Sequence, residues 1–201
     1  MIDRSRRAGV PILGLYEWRT GESTRATALV TGFGQTRRAV LALDAVRDWT
    51  DDEIEVVLAH ELAHHKHYDL WRSLVLDALV LTMALWVADG AVQSSAAVLG
   101  LAGPSDLAAL PLLALVVCGV WIGVTPIRHA QSRRHERRAD RFALTLTGGV
   151  DAFSTAVRRL GARHLHEERP SALTRWLYHR HPSVEERLAL ARSFRQKAPI
   201  V

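Results

Sequence analysis

Two stretches in the middle of the chain are long and almost wholly apolar. The second, residues 107–127, has 21 residues without a charge, about the number that crosses a hydrocarbon core of ~30 Å. The first, residues 73–88, is shorter and contains Asp77, so it is either a tilted or bundle-packed span or a buried soluble helix. We expect both stretches to cross a membrane as a helical hairpin, because one span alone would separate the two flanks.

Shorter periodic patterns outside the hairpin predict amphipathic helices. Thr50 and Glu53 have the spacing of a capping box, and apolar residues follow it at helical intervals up to Leu62. A second apolar stripe runs through residues 132–149, where Gly148 suits a helix stop. Helices are also predicted over about 151–168 and after a second capping box at Ser183 and Glu186.

The N-terminal part has the pattern of short β-strands. Residues 10–18 form one candidate strand, and two more are joined through residues 32–34, which read Gly-Phe-Gly. An open strand edge would let an extended peptide pair by main-chain hydrogen bonds. The pattern as a whole predicts a mainly α fold with a small β-sheet, of the α+β class.

The first helix beside the apolar hairpin carries His60, Glu61 and His64. Residues four apart on a helix share one face, so the two imidazoles can hold a single Zn²⁺. Glu61 would reach a metal-bound water and take its proton as general base. The alternative is an amphipathic helix whose histidines fall on one face by chance.

The second helix beside the hairpin offers a third ligand. Glu136 and Asp140 lie four residues apart; Glu136 would complete a His₂Glu site with an open position for water, and Asp140 would orient a ligand imidazole. A solvated basic helix with ion pairs inside it is the alternative explanation of the same residues.

Composition narrows the class of protein. A chain of 201 residues supports one catalytic domain, so residues 1–201 are treated as one, and the single cysteine, Cys118, excludes a disulfide framework. The net charge of +5 comes with no nucleic-acid module, so we expect no nucleic-acid partner and instead an anionic lipid bilayer.

Charge placement predicts the orientation of the hairpin. Lysine and arginine flank both apolar stretches but are absent from residues 89–106 between them. By the positive-inside rule the flanks, with both metal-binding helices, are cytoplasmic. The start of the chain has no apolar segment typical of a cleavable signal peptide.

Three motifs in order, "LAHELAHHKHYD", "SRRHERRADRF" and "RHPSVEER", resemble those of the integral-membrane zinc metallopeptidases of family forty-eight. This family includes the CaaX prenyl endopeptidases and the HtpX-type proteases, and the chain looks closer to the CaaX branch. The resemblance implies a zincin-type domain interrupted by the transmembrane hairpin, with one zinc per chain. It implies His60, His64 and Glu136 as ligands and Glu61 as general base. It also places Asp140 behind a ligand, His181 near the active site and Arg187 in a supporting ion pair.

The chain departs from the family pattern in two places. Thr27 stands where the substrate-binding strand of the family usually has asparagine, which weakens the expectation of substrate contacts there. The CaaX enzymes also have several membrane helices before the catalytic motif, so the chain is either a compact variant or an N-terminally truncated fragment.

The resulting expectation is a membrane-embedded zinc endopeptidase of a bacterial inner membrane that cleaves membrane-associated or CaaX-type proteins. The alternatives are a sensor or antirepressor-type membrane protease and an inactive zinc-binding scaffold. The sequence leaves the physiological substrate and the oligomeric state open.

Overall fold

The computed structural model describes residues 2–18, 28–42, 46–102, 105–163 and 171–197. Within these ranges the chain is mostly helical with one small sheet, which confirms the predicted fold class. The strands are β1 (Leu15–Trp18), β2 (Ala28–Thr31) and β3 (Arg38–Ala42). The helices are α1 (Ile2–Arg7), α2 (Asp51–Lys66), α3 (Asp69–Leu99), α4 (Leu110–Thr147), α5 (Val150–Arg163), α6 (Ala172–Tyr178) and α7 (Val184–Lys197), with 3₁₀ turns at Gly34–Thr36 and Leu107–Ala109.

The sheet has the order β1-β3-β2, parallel between β1 and β3 and antiparallel between β2 and β3. The candidate strand over residues 10–18 forms only from Leu15 onward. Val10 and Ile12 are buried against Leu58 and Leu62 of α2 without strand pairing. Their apolar pattern therefore reflects packing against the helix.

Helix α2 lies at the centre of the fold. Its predicted capping box is present, with Thr50 Oγ1 accepting from the Glu53 amide and Glu53 accepting from the Thr50 amide. One face of α2 packs on the sheet through Leu58 and Leu62. Another face packs against α5, where Val57 meets Ala156. Because two faces of α2 are buried in close-packed contacts, the helix and the side chains on its remaining face are held in fixed positions.

Helices α3 and α4 form a long antiparallel hairpin, and both are long and apolar enough to cross a membrane. The predicted spans, residues 73–88 and 107–127, lie within these longer helical segments. Their apolar side chains point outward; Trp86 is 76% exposed and Ile122 is 71% exposed. This surface has the character of a lipid-facing one, since soluble proteins rarely expose such continuous apolar area.

The C-terminal helices pack around α4 and α5, and α5 in turn packs on α2. Helix α4 ends as predicted at Gly148, whose left-handed conformation (φ +68°) suits a glycine cap. Helix α5 begins at Val150 and is described as far as Arg163, so the rest of the predicted helix, to residue 168, lies outside the described residues. The second predicted capping box is present, because the Ser183 and Glu186 side chains each bond the other's amide.

Candidate metal centre

Helix α2 presents His60 and His64 side by side. Their ring centroids lie 5.0 Å apart with the rings nearly perpendicular. His60 is buried and His64 half-buried, and both line a cavity together with Glu61. The four-residue spacing thus places the three side chains of the motif around one open space.

Helix α4 brings Glu136 to the same place. One carboxylate oxygen, Oε2, lies 3.4 Å from His60 Nε2, and the other, Oε1, lies 3.7 Å from His64 Nε2. Ligands about 2.0–2.1 Å from a tetrahedral zinc lie roughly 3.4 Å from one another. The ligand atoms of the three residues all fall within 4.8 Å of each other, so they match a zinc site in residue type and spacing.

Asp140 contacts His60, the residue pair that the sequence predicted for orienting a ligand imidazole. His60 Nδ1 lies 2.9 Å from Asp140 Oδ1, which leaves Nε2 turned toward Glu136. Asp140 is fully buried and also receives two hydrogen bonds from Arg187, of 2.9 Å from Nε and 2.6 Å from Nη2. This two-pronged ion pair fixes the carboxylate, and the carboxylate orients the imidazole.

His64 has an equivalent partner that the sequence analysis did not identify. His64 Nδ1 lies 2.9 Å from Asp69 Oδ2, and the other oxygen of Asp69 accepts from Arg138 on α4. Asp69 is 5% exposed. Both imidazoles therefore have a carboxylate at Nδ1 and direct Nε2 toward Glu136.

Two carboxylates, those of Asp140 and Glu136, surround His60 and favour its positively charged form. Burial by itself lowers the pKa of His60, but the hydrogen bonds with Asp140 and Glu136 outweigh it and raise that pKa to about 10. The same two carboxylates, of Asp140 and Glu136, favour a cation at this position. A divalent metal must displace this proton, since a ligand histidine binds in its neutral form.

His181 lies at the rim of the site. Its Nδ1 is 3.2 Å from Glu136 Oε1, and more than half of its side chain is exposed. The segment that carries it is held on one side by Arg133, which donates to the His179 carbonyl at 2.7 Å. On the other side Pro182 is buried and the Ser183 cap follows. The structure thus brings His181 next to the predicted ligands.

The sheet approaches the site through its edge strand β2. Ala28 lines the same cavity as Glu61, and His65 Nε2 lies 2.8 Å from the Val30 carbonyl oxygen, which ties β2 to α2. No local spacing could point to this role of His65, because its partner is 35 residues distant. Thr27, the residue at which the family pattern is broken, lies outside the described residues.

Comparison with known proteins gives one family. Residues 3–195 match Peptidase family M48. The metalloprotease YhfN of Bacillus subtilis is 31% identical over 193 residues, covering 94% of this chain and 45% of YhfN. An HtpX homologue from Campylobacter concisus is 33% identical over 138 residues, covering 66% of this chain and 46% of its own length.

Among solved structures, Ste24p of S. mikatae has the same fold. The TM-score is 0.79 at 21% identity, over 94% of this chain and 48% of Ste24p. The chain therefore spans about half the length of these relatives.

Proposed function

The chain belongs to Peptidase family M48, and from this premise we propose that it is a membrane-embedded zinc endopeptidase. The match confirms the resemblance that the three motifs indicated. The solved structure of Ste24p has the same fold, and the assignment to the CaaX branch is part of this proposal. The observation that carries the proposal is the convergence of His60, His64 and Glu136 beside Glu61 in one cavity.

The residues of the site divide the work of hydrolysis among them. His60, His64 and Glu136 would hold the zinc, which when bound polarises the scissile carbonyl and acidifies a water. The Glu61 carboxylate accepts the proton of the attacking water and then delivers it to the leaving amine, while the water oxygen bonds to the carbonyl carbon and the C–N bond breaks.

Other side chains hold these groups in place. Asp140, itself fixed by Arg187, lies 2.9 Å from His60 Nδ1, so that Nε2 is the ring nitrogen left to bind the metal. His181 reaches the rim of the cavity beside Glu136, a position from which an imidazole N–H can donate to the oxygen of a bound carbonyl. We assign His181 this substrate-binding role.

The substrate is proposed to be membrane-associated. The two long helices expose apolar side chains along their length. By the positive-inside rule, the distribution of lysine and arginine supports a cytoplasmic location for the helices of the candidate metal centre. Strand β2, at the edge of the sheet, lies beside the cavity through Ala28, so an extended substrate can pair with it. We propose prenylated or other membrane-anchored proteins as the class of substrate.

The first test is cleavage of a farnesylated CaaX peptide and of its unmodified twin by protein purified in detergent. We expect the lipidated peptide to be cleaved and the unmodified peptide to be a poor substrate. Cleavage of both would replace the CaaX assignment with a general membrane protease. No cleavage by zinc-loaded protein would favour the inactive scaffold.

Two variants assign the residues. Glu61→Gln should retain one zinc per chain and lose activity by about 10²-fold or more, because the general base is gone. Glu136→Ala should lose both zinc and activity. Zinc at full occupancy in Glu136→Ala would remove Glu136 from the ligand set.

A further inference from the structure

Exposed aromatic side chains from three parts of the chain lie beside the two long helices. They come from the turn between β2 and β3, from the start of α3 and from helix α6. We call this set the aromatic band, and each of its members is more than half exposed: Phe33, Tyr68, Trp71, Trp176 and Tyr178. Single exposed apolar residues are ordinary, but a group of exposed rings marks an interaction surface.

Two ion pairs between α3 and α4 give the level of the band along the hairpin. Asp77 pairs with Arg128, and Asp69 pairs with Arg138. The two aspartates are eight residues apart on α3, which is about 12 Å of helix. Trp71 lies inside this interval, just before the predicted span. The interval is close in size to the headgroup layer, since a bilayer adds roughly 5–8 Å to each face of its hydrocarbon core.

On the α3 side, the band joins the sheet to the start of the predicted span. The ring centroids of Phe33 and Trp71 lie 6.1 Å apart, so the turn between β2 and β3 contacts the first turn of α3. Leu74 and Val75, further along α3, are exposed as well. The aromatic side chain of the turn is therefore continuous with the apolar surface of the predicted span.

On the α4 side, helix α6 is fixed close to the end of the other apolar stretch. Helix α6 packs on α4, and a hydrogen bond joins the His129 ring to the Leu177 main chain. Arg133 donates to the His179 carbonyl at 2.7 Å, just beyond α6. His129 lies two residues past the uncharged run over residues 107–127. The exposed rings of α6 therefore lie near the level at which the apolar stretch ends.

The exposed charges near the band are basic. Arg72, Arg134 and Arg180 are all exposed. In residues 66–77, 128–138 and 172–180 the carboxylates are already engaged by basic side chains: Asp69, Asp77 and Glu136. Aromatic rings beside exposed arginines fit the headgroup layer of an anionic bilayer, where each ring has an apolar body in contact with lipid and each cation meets a phosphate.

We propose that the aromatic band lies in the headgroup layer of an anionic leaflet, so that the turn between β2 and β3 and helix α6 both contact the membrane. This inference rests on the membrane placement in the proposed function. A bilayer that surrounds the hairpin reaches the band directly, because the apolar surface of α3 leads into it. The band then sets the depth of the domain and holds the candidate metal centre at the membrane surface.

The test measures how deeply two labelled positions lie in a bilayer. The full chain with Cys118→Ser is reconstituted in phosphatidylcholine with phosphatidylglycerol, and an environment-sensitive fluorophore is attached to one introduced cysteine. Gln35→Cys labels the turn between β2 and β3, and Leu173→Cys labels α6. Both positions are exposed, and both substitutions leave the five aromatic side chains intact.

Two further labels are controls. Asp52→Cys is exposed at the opposite end of α2, fourteen residues before Lys66 and so about 21 Å from it along the helix. Trp86→Cys lies within the predicted span and reports insertion of the hairpin. It should be quenched by a nitroxide placed deep in the acyl chains.

A nitroxide on the lipid headgroup should quench the labels at Gln35→Cys and Leu173→Cys by at least about half, as expected for groups in the interfacial layer. The label at Asp52→Cys should stay near its unquenched intensity. Replacing phosphatidylglycerol with phosphatidylcholine should reduce the quenching at the first two positions, because the arginines lose their anionic partners.

The outcomes separate this inference from the proposed function. Quenching at Trp86→Cys without quenching at Gln35→Cys and Leu173→Cys would overturn the aromatic band and leave the membrane placement standing. Quenching of one of these two labels alone would overturn the membrane contact of the other element. An unquenched label at Trp86→Cys would overturn the membrane placement and the band together. Quenching that does not depend on phosphatidylglycerol would overturn the preference for anionic lipid.

Discussion

At the scale of single residues, each of the two imidazoles of the candidate metal centre has a carboxylate close to its Nδ1 atom. His60 is backed by Asp140 and His64 by Asp69, each with 2.9 Å between Nδ1 and a carboxylate oxygen. A carboxylate in this position fixes the tautomer and the orientation of the ring, and it makes Nε2 a more basic and therefore stronger metal ligand. Asp69 therefore belongs to the site, although it is the first residue of a different helix.

We expect Asp69→Asn to weaken zinc binding by about 10–100-fold, because the amide can no longer stabilise the Nδ1–H of His64 as a charged acceptor does. The measurement is the zinc dissociation constant, obtained by competition with a chelator. Asp77→Asn on the same helix is the control, since Asp77 pairs with Arg128 and not with the site. Equal zinc affinity in the Asp69 and Asp77 variants would contradict the role of Asp69.

The sequence pointed to the three candidate ligands but not to the carboxylate beside His64. Four-residue spacing on one helix suffices to pair His60 with His64 and Glu136 with Asp140. Asp69 reaches His64 only because Tyr68 adopts a left-handed conformation (φ 56°, ψ 38°) that turns the chain between α2 and α3. Such a conformation is uncommon for a tyrosine, so the local sequence does not predict it.

At the scale of elements, an ion pair joins the two long helices near one end of their apolar segments. Arg128 donates from Nε and Nη2 to the two oxygens of Asp77, at 2.8 and 2.9 Å, and its guanidinium lies 4.3 Å from the ring centroid of Trp121. This answers the question raised by an acidic residue in a predicted span, which needs a partner. The pair fixes the register of α3 against α4.

We expect this pair to couple more strongly than an exposed pair in water, which contributes about 0.2–1 kcal/mol. A double-mutant cycle of Asp77→Asn and Arg128→Gln, read from reversible unfolding in detergent, should give a coupling above about 1 kcal/mol, since removing one partner leaves the other charge uncompensated. The double variant should be less destabilised than the sum of the single variants. A coupling near zero would mean that the pair is fully hydrated.

The elements themselves were predictable to differing degrees. Both capping boxes and the Gly148 stop followed from local residue choice and are present. The predicted span ending at residue 127 and the metal-binding helix starting at residue 132 are one helix, α4, which continues through Pro126. The sequence indicated two segments because an uncharged apolar run changes there into a charged amphipathic stripe, and packing against α2 and α3 supports one continuous helix.

At the scale of the whole molecule, the continuity of α4 links the predicted membrane span to the chemistry. Glu136 follows Arg128 by eight residues, which is about 12 Å along a helix. The candidate metal centre thus lies only a short distance beyond the end of the apolar segment. Asp69, the first residue of α3, contacts Arg138 of α4. Both helices of the hairpin therefore contribute residues to the site.

This arrangement requires the two flanks of the hairpin to lie on one side of the membrane and the connection between α3 and α4 on the other. The test replaces Cys118 with serine and introduces Ser105→Cys in the connection or Arg141→Cys on the catalytic side; both positions are exposed. In intact cells a membrane-impermeant maleimide should label the Ser105→Cys protein. The Arg141→Cys protein should be labelled only after permeabilisation, because the excess of lysine and arginine on its flank predicts a cytoplasmic location. Labelling of both from the same side would show that the hairpin does not cross. The exposed apolar faces of α3 and α4 would then have to be covered by protein, since an apolar surface of this size is rarely stable in contact with water.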